Sequence, residues 1–279
     1  MTAPVPDEKL RLGGMALRNG LLVHGPTHWA AAVRTDDGEL RVASGRKPDL
    51  GGRASARIPG LRGIAKLAEA MAVVPLVKRA LPEARLPMQD VKTLGSMGAA
   101  ALAGQAIRTG GSRRAGGSGS RTAGREAAVA LVSIAPALLA LRSGDLAAYH
   151  GVEHKAIAGY EEGSDAAEAD KEHDRCGSHL VAPMLAAAAV GNVAMRRAGL
   201  RGPAAEAAVG LGSAAVAVEV FAWGERHPDS AVTRLMRRPG FEIQRVIGTR
   251  EPTEEQLEVG RAALAEILRV EAGQVEGGQ

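Results

Sequence analysis

The pattern of apolar and polar positions changes period along the chain. Gly13-Gly14 opens a short apolar segment that closes at His24-Gly25-Pro26, and Trp29 to Ser44 alternates loosely about Asp36-Asp37-Gly38. A period near two, broken by Asp-Asp-Gly, predicts a β-hairpin. Residues 1–60 therefore read as a mobile lead, residues 1–12, followed by a small β unit. From Gly60 the period lengthens: Ile64, Leu67, Ala68, Met71, Val74 and Leu76 recur among Arg62, Lys66, Glu69, Lys78 and Arg79. That spacing predicts an amphipathic helix interrupted at Pro75, lying either on a membrane surface or against the protein's own core.

Four longer apolar windows follow, at 93–107, 127–141, 180–195 and 203–223. The second and third fall short of the roughly 20 residues that cross a bilayer core, and the fourth carries Glu206 and Glu219. Their Ala and Gly content suits close helix packing in lipid and equally suits a soluble bundle with Ala-rich helices, so the pattern alone leaves both readings open. Between the first two windows, Arg108 to Arg125 is rich in Gly, Ser and Arg and contains no acid, which predicts a flexible linker. Its arginines, with Arg196, Arg197 and Arg201 between the third and fourth windows, would mark cytoplasmic loops if the windows span. The C-terminal segment, 231–279, is also rich in Arg, so the arginines alone do not fix a topology. It begins with a basic stretch, Arg234 to Arg250, and then Thr253-Glu254-Glu255-Gln256 predicts a capped soluble helix.

Composition narrows the choices. The 279 residues carry a net charge of +4, and aromatic residues make up 2%. The arginines are scattered and have few aromatics among them, so no nucleic-acid partner is expected. Cys176 is the single cysteine, which rules out an internal disulfide and leaves the thiol available for metal or redox chemistry. The N-terminus shows no basic region followed by an apolar run, so no cleavable signal peptide is expected.

The segment 142–179 between the second and third windows holds the chemistry. In Tyr149-His150-Gly151-Val152-Glu153-His154-Lys155 the two histidines are four apart, so on a helix both imidazoles project from one face. H-x-x-E-H is also a zinc-site order in which the acid handles a proton on bound water. Downstream, His173-x-x-Cys176 adds an imidazole and a thiolate, and zinc accepts both. The candidate ligands are thus His150, His154, His173 and Cys176, with Glu153 as base. Four engaged protein ligands would make a closed structural site, and three would leave a position for water. Helix caps hydrogen-bonded to one another without metal are the remaining reading. The acidic run from Glu161 to Asp174 reads as a solvated helix face.

These residues, together with Arg175-Cys176-Gly177-Ser178, Gly13-Gly14-Met15-Ala16, Gly25-Pro26, Arg62-Gly63, Pro239-Gly240-Phe241, Gln244-Arg245 and Thr249-Arg250-Glu251-Pro252, resemble the YqhQ-like family of bacterial membrane proteins, a family of unknown function described as predicted metal-dependent enzymes. The resemblance implies a multi-pass protein of the bacterial inner membrane whose partner is membrane lipid. It places the family motif on His150, Glu153, His154, Lys155, His173, Arg175 and Cys176, and Glu219 falls where the family has a glutamate, which makes it a further possible ligand. Asn19 and His24 depart from the family's early motif.

The combined expectation is a mainly α fold, a multi-helix membrane bundle with a small N-terminal β-hairpin unit and a C-terminal soluble helix. Its helical region would be 61–230. It would carry a divalent metal, zinc by donor type, for hydrolysis of an unknown substrate or as the structural site of a non-catalytic scaffold or transport-related protein.

Overall fold

Strands β1 (Gly13–Leu17), β2 (Gly20–His24), β3 (His28–Arg34) and β4 (Leu40–Arg46) form an antiparallel sheet in sequence order in the computed structural model, which describes residues 9–49, 61–87, 89, 91–110, 119–142 and 145–276. The expected hairpin is β3–β4, with Arg34 opposite Leu40 and Gly38 at φ 85° in the turn. The preceding apolar segment is itself a hairpin, with Leu17 opposite Gly20. Its turn lacks an Asn-Gly or Asp-Gly signal. Asn19 fastens it instead, its side-chain amide donating to the carbonyls of Arg34 and Glu83 and its side-chain oxygen accepting from the Arg85 amide.

Both faces of the sheet are covered, which explains why β2 and β3 are apolar almost throughout. Helix α1 (Leu61–Ala80) lays Val73 and Val77 on Leu17, Leu22, Trp29, Ala31 and Val33. On the opposite face, Leu21, Val23, Ala30 and Ala32 meet α4 (Leu146–Glu162) and α8 (Glu254–Glu276) through Tyr149, Val152, Ala156, Val259, Ala263 and Ile267. Successive strand residues point to opposite faces, so this division follows the pleat. Helix α1 packs on the protein's own sheet and continues through Pro75, which is exposed. The α8 cap is reciprocal: Gln256 N–H donates to Thr253 Oγ1 at 3.3 Å and Thr253 N–H to Gln256 Oε1 at 3.0 Å.

Each apolar window falls on one helix: α2 (Val91–Gly110), α3 (Gly119–Leu141), whose C-terminal part it forms, α5 (Val181–Arg197) and α6 (Pro203–Arg226). Helices α2 and α3 pack together, as do α5 and α6, and α3 touches α5. Both α5, taken with the turn before it, and α6 are long and apolar enough to cross a membrane; counting the second half of α3 with α4 as one span bent by 83° gives three. Only 11% of the apolar stretch at α5 and 22% of that at α6 is buried. Leu102, Leu131, Val190 and Leu211 are exposed on these helices. Soluble proteins rarely leave so much contiguous apolar surface uncovered. Helix α4 differs, because the sheet and α8 bury it, and it lies in the layered unit.

Three further expectations are corrected, beside the interruption at Pro75. The lead is fastened from Lys9, whose ammonium donates to the carbonyls of Tyr160 and Glu161, while Leu12 is in the core. The Arg108–Arg125 linker is largely helical at its two ends, with 111–118 outside the described residues, as are 1–8 and 50–60. The acidic run is not a helix face, because α4 stops at Glu162 where Gly163 turns left-handed at φ 79°. Beyond it the chain forms an irregular strap, residues 163–176, leading through the short turn Gly177–Leu180 into α5. Helix α7 (Ala231–Ile243) and a wide turn, Gln244–Gly248, connect α6 to the segment before α8.

Candidate metal centre

Helical spacing puts His150 and His154 on one face of α4, with ring centroids 4.4 Å apart. Each ring is oriented by a carbonyl: His150 Nδ1 lies 2.7 Å from the Gly248 oxygen and His154 Nδ1 2.6 Å from the Lys171 oxygen. A carbonyl can only accept, so both Nδ1 atoms carry the proton and both Nε2 atoms present lone pairs. This is the orientation that ligating histidines show, with the second nitrogen tied to the backbone. Gly151 has its reason here, since the approach that brings Gly248 to His150 also sets the Arg250 oxygen 2.4 Å from where a Cβ on Gly151 would stand.

Cys176 arrives from the strap. Its Sγ is 3.4 Å from His150 Nε2, and the candidate ligand atoms of His150, His154 and Cys176 all lie within 4.8 Å of one another. Bonds of about 2.1 Å to nitrogen and about 2.3 Å to sulfur at a tetrahedral angle set those atoms roughly 3.6 Å apart. His154 Nε2 is buried with no hydrogen-bond partner among the described residues, a costly arrangement for a polar atom. Burial holds the His154 ring neutral, well below the ordinary histidine pKa, and pushes the Cys176 thiol up, opposed by the Ser178 side chain and amide. Neutral imidazoles and a thiol that must give up its proton form a set a divalent cation would satisfy.

Glu153 packs against β1, its carboxylate accepting from the Ala16 amide; a Cβ on Gly14 would stand 2.7 Å from its Cγ. Burial raises its pKa to about 7, with His150 lowering it, Cys176 raising it and the Ala16 hydrogen bond lowering it. His150, Glu153 and Cys176 together form the floor of a cavity of about 730 Å³ walled by α2, α3 and α5.

The other anticipated residues are placed differently. The His173 ring lies tilted, its centroid 5.7 Å from that of His154, but its Nε2 faces Glu161 at 3.4 Å and its Nδ1 accepts from the Arg175 amide. It stands outside the three-residue group. Arg175 pairs with Glu161. Glu219 lines a separate groove between α6 and α7, beside Val216, Trp223, Val232 and Met236. Buried Lys155 donates to the carbonyls of Ala167 and Ala169 and pairs with Glu251, so it fastens the strap. His24 and His28 lie on adjacent strands, and His28 Nδ1 meets Thr27 Oγ1 at 2.8 Å.

Sequence reasoning assigned no role to Gln244, which is fully buried. Its oxygen accepts from the His173 amide at 2.7 Å, and its nitrogen donates to Ser178 Oγ at 2.9 Å and to the His173 carbonyl at 3.2 Å. His179 is held beside it by the Arg237 carbonyl and fits because residue 240 is glycine: a Cβ there would stand 2.2 Å from His179 Nδ1. The late Pro-Gly-Phe and Gln-Arg pairs were the available signal.

A family model described as "Protein of unknown function (DUF1385)" matches residues 144–270, just under half of the chain. The matched part spans α4, the strap, the α5–α6 pair and most of α8, and it contains all three clustered residues. It supports membership of this part in an uncharacterised domain family. No curated protein and no solved structure matches the chain.

Proposed function

We propose that the chain is a multi-pass protein of the bacterial inner membrane that holds one zinc ion on His150 Nε2, His154 Nε2 and Cys176 Sγ and carries out a metal-dependent hydrolysis. The observation that supports this most strongly is the buried, unpartnered His154 Nε2 aimed at the other two donor atoms. Two imidazoles and a thiolate are a zinc-type donor set. When bound there, zinc would polarise a carbonyl or phosphoryl group and make water acidic enough to act near neutral pH. The chain's own residues supply the rest: Gly248 and Lys171 orient the rings, the Ala16 amide fixes Glu153, and Glu153 takes a proton from water and returns it to the leaving group.

A closed structural site would need a fourth protein ligand. The strap's candidate, His173, is turned to Glu161, and the cavity occupies the space above His150, Glu153 and Cys176, so three ligands with an open position is the better fit. Glu153→Gln is the decisive variant, since it keeps the shape of the side chain and removes its basicity. It is expected to purify with as much zinc as wild type and to fail to complement a strain lacking the protein. Complementation equal to wild type would show that the cluster serves structure alone.

A further inference from the structure

The cavity over the cluster has features that the hydrolysis reading leaves unused. Its volume, about 730 Å³, falls within the range of small-molecule sites, roughly 300–1,000 Å³. Met97, Ile134, Leu138, Leu141, Val181 and Met184 are among its apolar walls, which carry the hydroxyls of Thr93 and Ser133, and its ionisable side chains, His150, Glu153 and Cys176, gather at the floor. The walls belong to α2, α3 and α5. These helices also expose Leu94, Leu102, Leu131, Leu139 and Val190 on their outer sides, so a ligand leaving the cavity along its walls meets the surface suited to lipid. No lysine or arginine lies among the described lining residues. A phosphate held there would lack the cationic partners that phosphate sites ordinarily supply, whereas an uncharged carbonyl requires none.

Resting on the metal-dependent reading above, we infer that the substrate is a long-chain acyl ester drawn from the membrane, with its chain between α2, α3 and α5 and its carbonyl at His150, Glu153 and Cys176. In the reaction water adds to the ester carbonyl carbon as Glu153 takes a proton from it. The bond from that carbon to the alkoxy oxygen breaks, the proton passes to the departing oxygen, and a fatty acid and an alcohol leave. The apolar cavity accounts for the chain, and the polar floor accounts for where cleavage occurs.

The test uses the full chain in detergent and a long-chain fatty acyl methyl ester bearing a diazirine on its chain. After irradiation, labelled peptides are mapped by mass spectrometry, and zinc is measured on the same samples. Label is expected on α2, α3 and α5, displaced by the unlabelled ester more effectively than by an alkyl phosphate of equal length. Ala137→Trp, which fills the cavity, is expected to cut labelling by roughly tenfold, equivalent to about 1.4 kcal/mol of binding, with zinc content unchanged. Label scattered over all helices, label indifferent to Ala137→Trp, or equal displacement by the alkyl phosphate would overturn the inference. Zinc-loaded protein without cavity label sinks the ester inference alone, whereas specific label on protein devoid of zinc sinks the metal reading and keeps the acyl site.

Discussion

Individual positions carry the tightest constraints. Gly151 lies where the Arg250 oxygen would be 2.4 Å from a Cβ. Gly151→Ala must therefore push apart α4 and the segment that orients His150, and overpacking of this kind costs about 1–3 kcal/mol. The expected result is a lower melting temperature in detergent together with reduced zinc; an unchanged melt would show that the segment yields freely. His24 sets a pH response. Burial and, second, Lys47 lower its pKa from 6.5 to about 4, so the folded chain keeps it neutral where the unfolded chain is already protonated. Stability is untouched above pH 6.5 and falls as pH drops toward 4, by up to about 3 kcal/mol at 1.36 kcal/mol per unit. Melting temperatures of wild type and His24→Gln should converge in that window, and parallel curves would contradict the assignment. The histidine pair and the acid between them were legible from spacing. The orphaned Nε2 and the crowding at Gly151 were not, because both arise from carbonyls of distant segments.

Among the elements, the strap is the one that sequence pattern misreads. Its acids suggest a solvated helix, but Gly163 ends α4 and the segment folds back over it, fastened by Lys155, by His154 through the Lys171 carbonyl, and by Gln244. No periodicity encodes such a segment, since its conformation is set by hydrogen bonds from elsewhere. Gln244→Leu removes the partners of the half-buried His173 amide and Ser178 hydroxyl, a cost of about 1 kcal/mol or somewhat more. Hydrogen exchange should quicken across 171–179 and zinc should be lost more readily to chelator, while α8 keeps its protection. Unchanged exchange in the strap would mean that Gln244 does not position it. The β3–β4 hairpin and the α8 cap were legible because turn and cap chemistry is local. The β1–β2 hairpin was hidden because Asn19 closes it through residues 34, 83 and 85.

At the scale of the molecule, a layered unit of sheet, α4 and α8 meets helices whose apolar surface is largely uncovered, and the His150–His154–Cys176 cluster sits at their junction with the cavity above it. The four apolar windows announced those helices. Charge and composition left open whether they lie in lipid, and the 11% and 22% burial of α5 and α6 favours lipid. The protein is accordingly expected to stay with membranes through an alkaline wash and to need detergent for extraction. The claim on which the rest depends is that the junction holds a metal. Elemental analysis of detergent-purified protein measures this directly. About one zinc per chain is expected in wild type, with most of it lost in His150→Ala and in Cys176→Ala. Wild-type protein without metal, or variants that keep the full amount, would contradict the account.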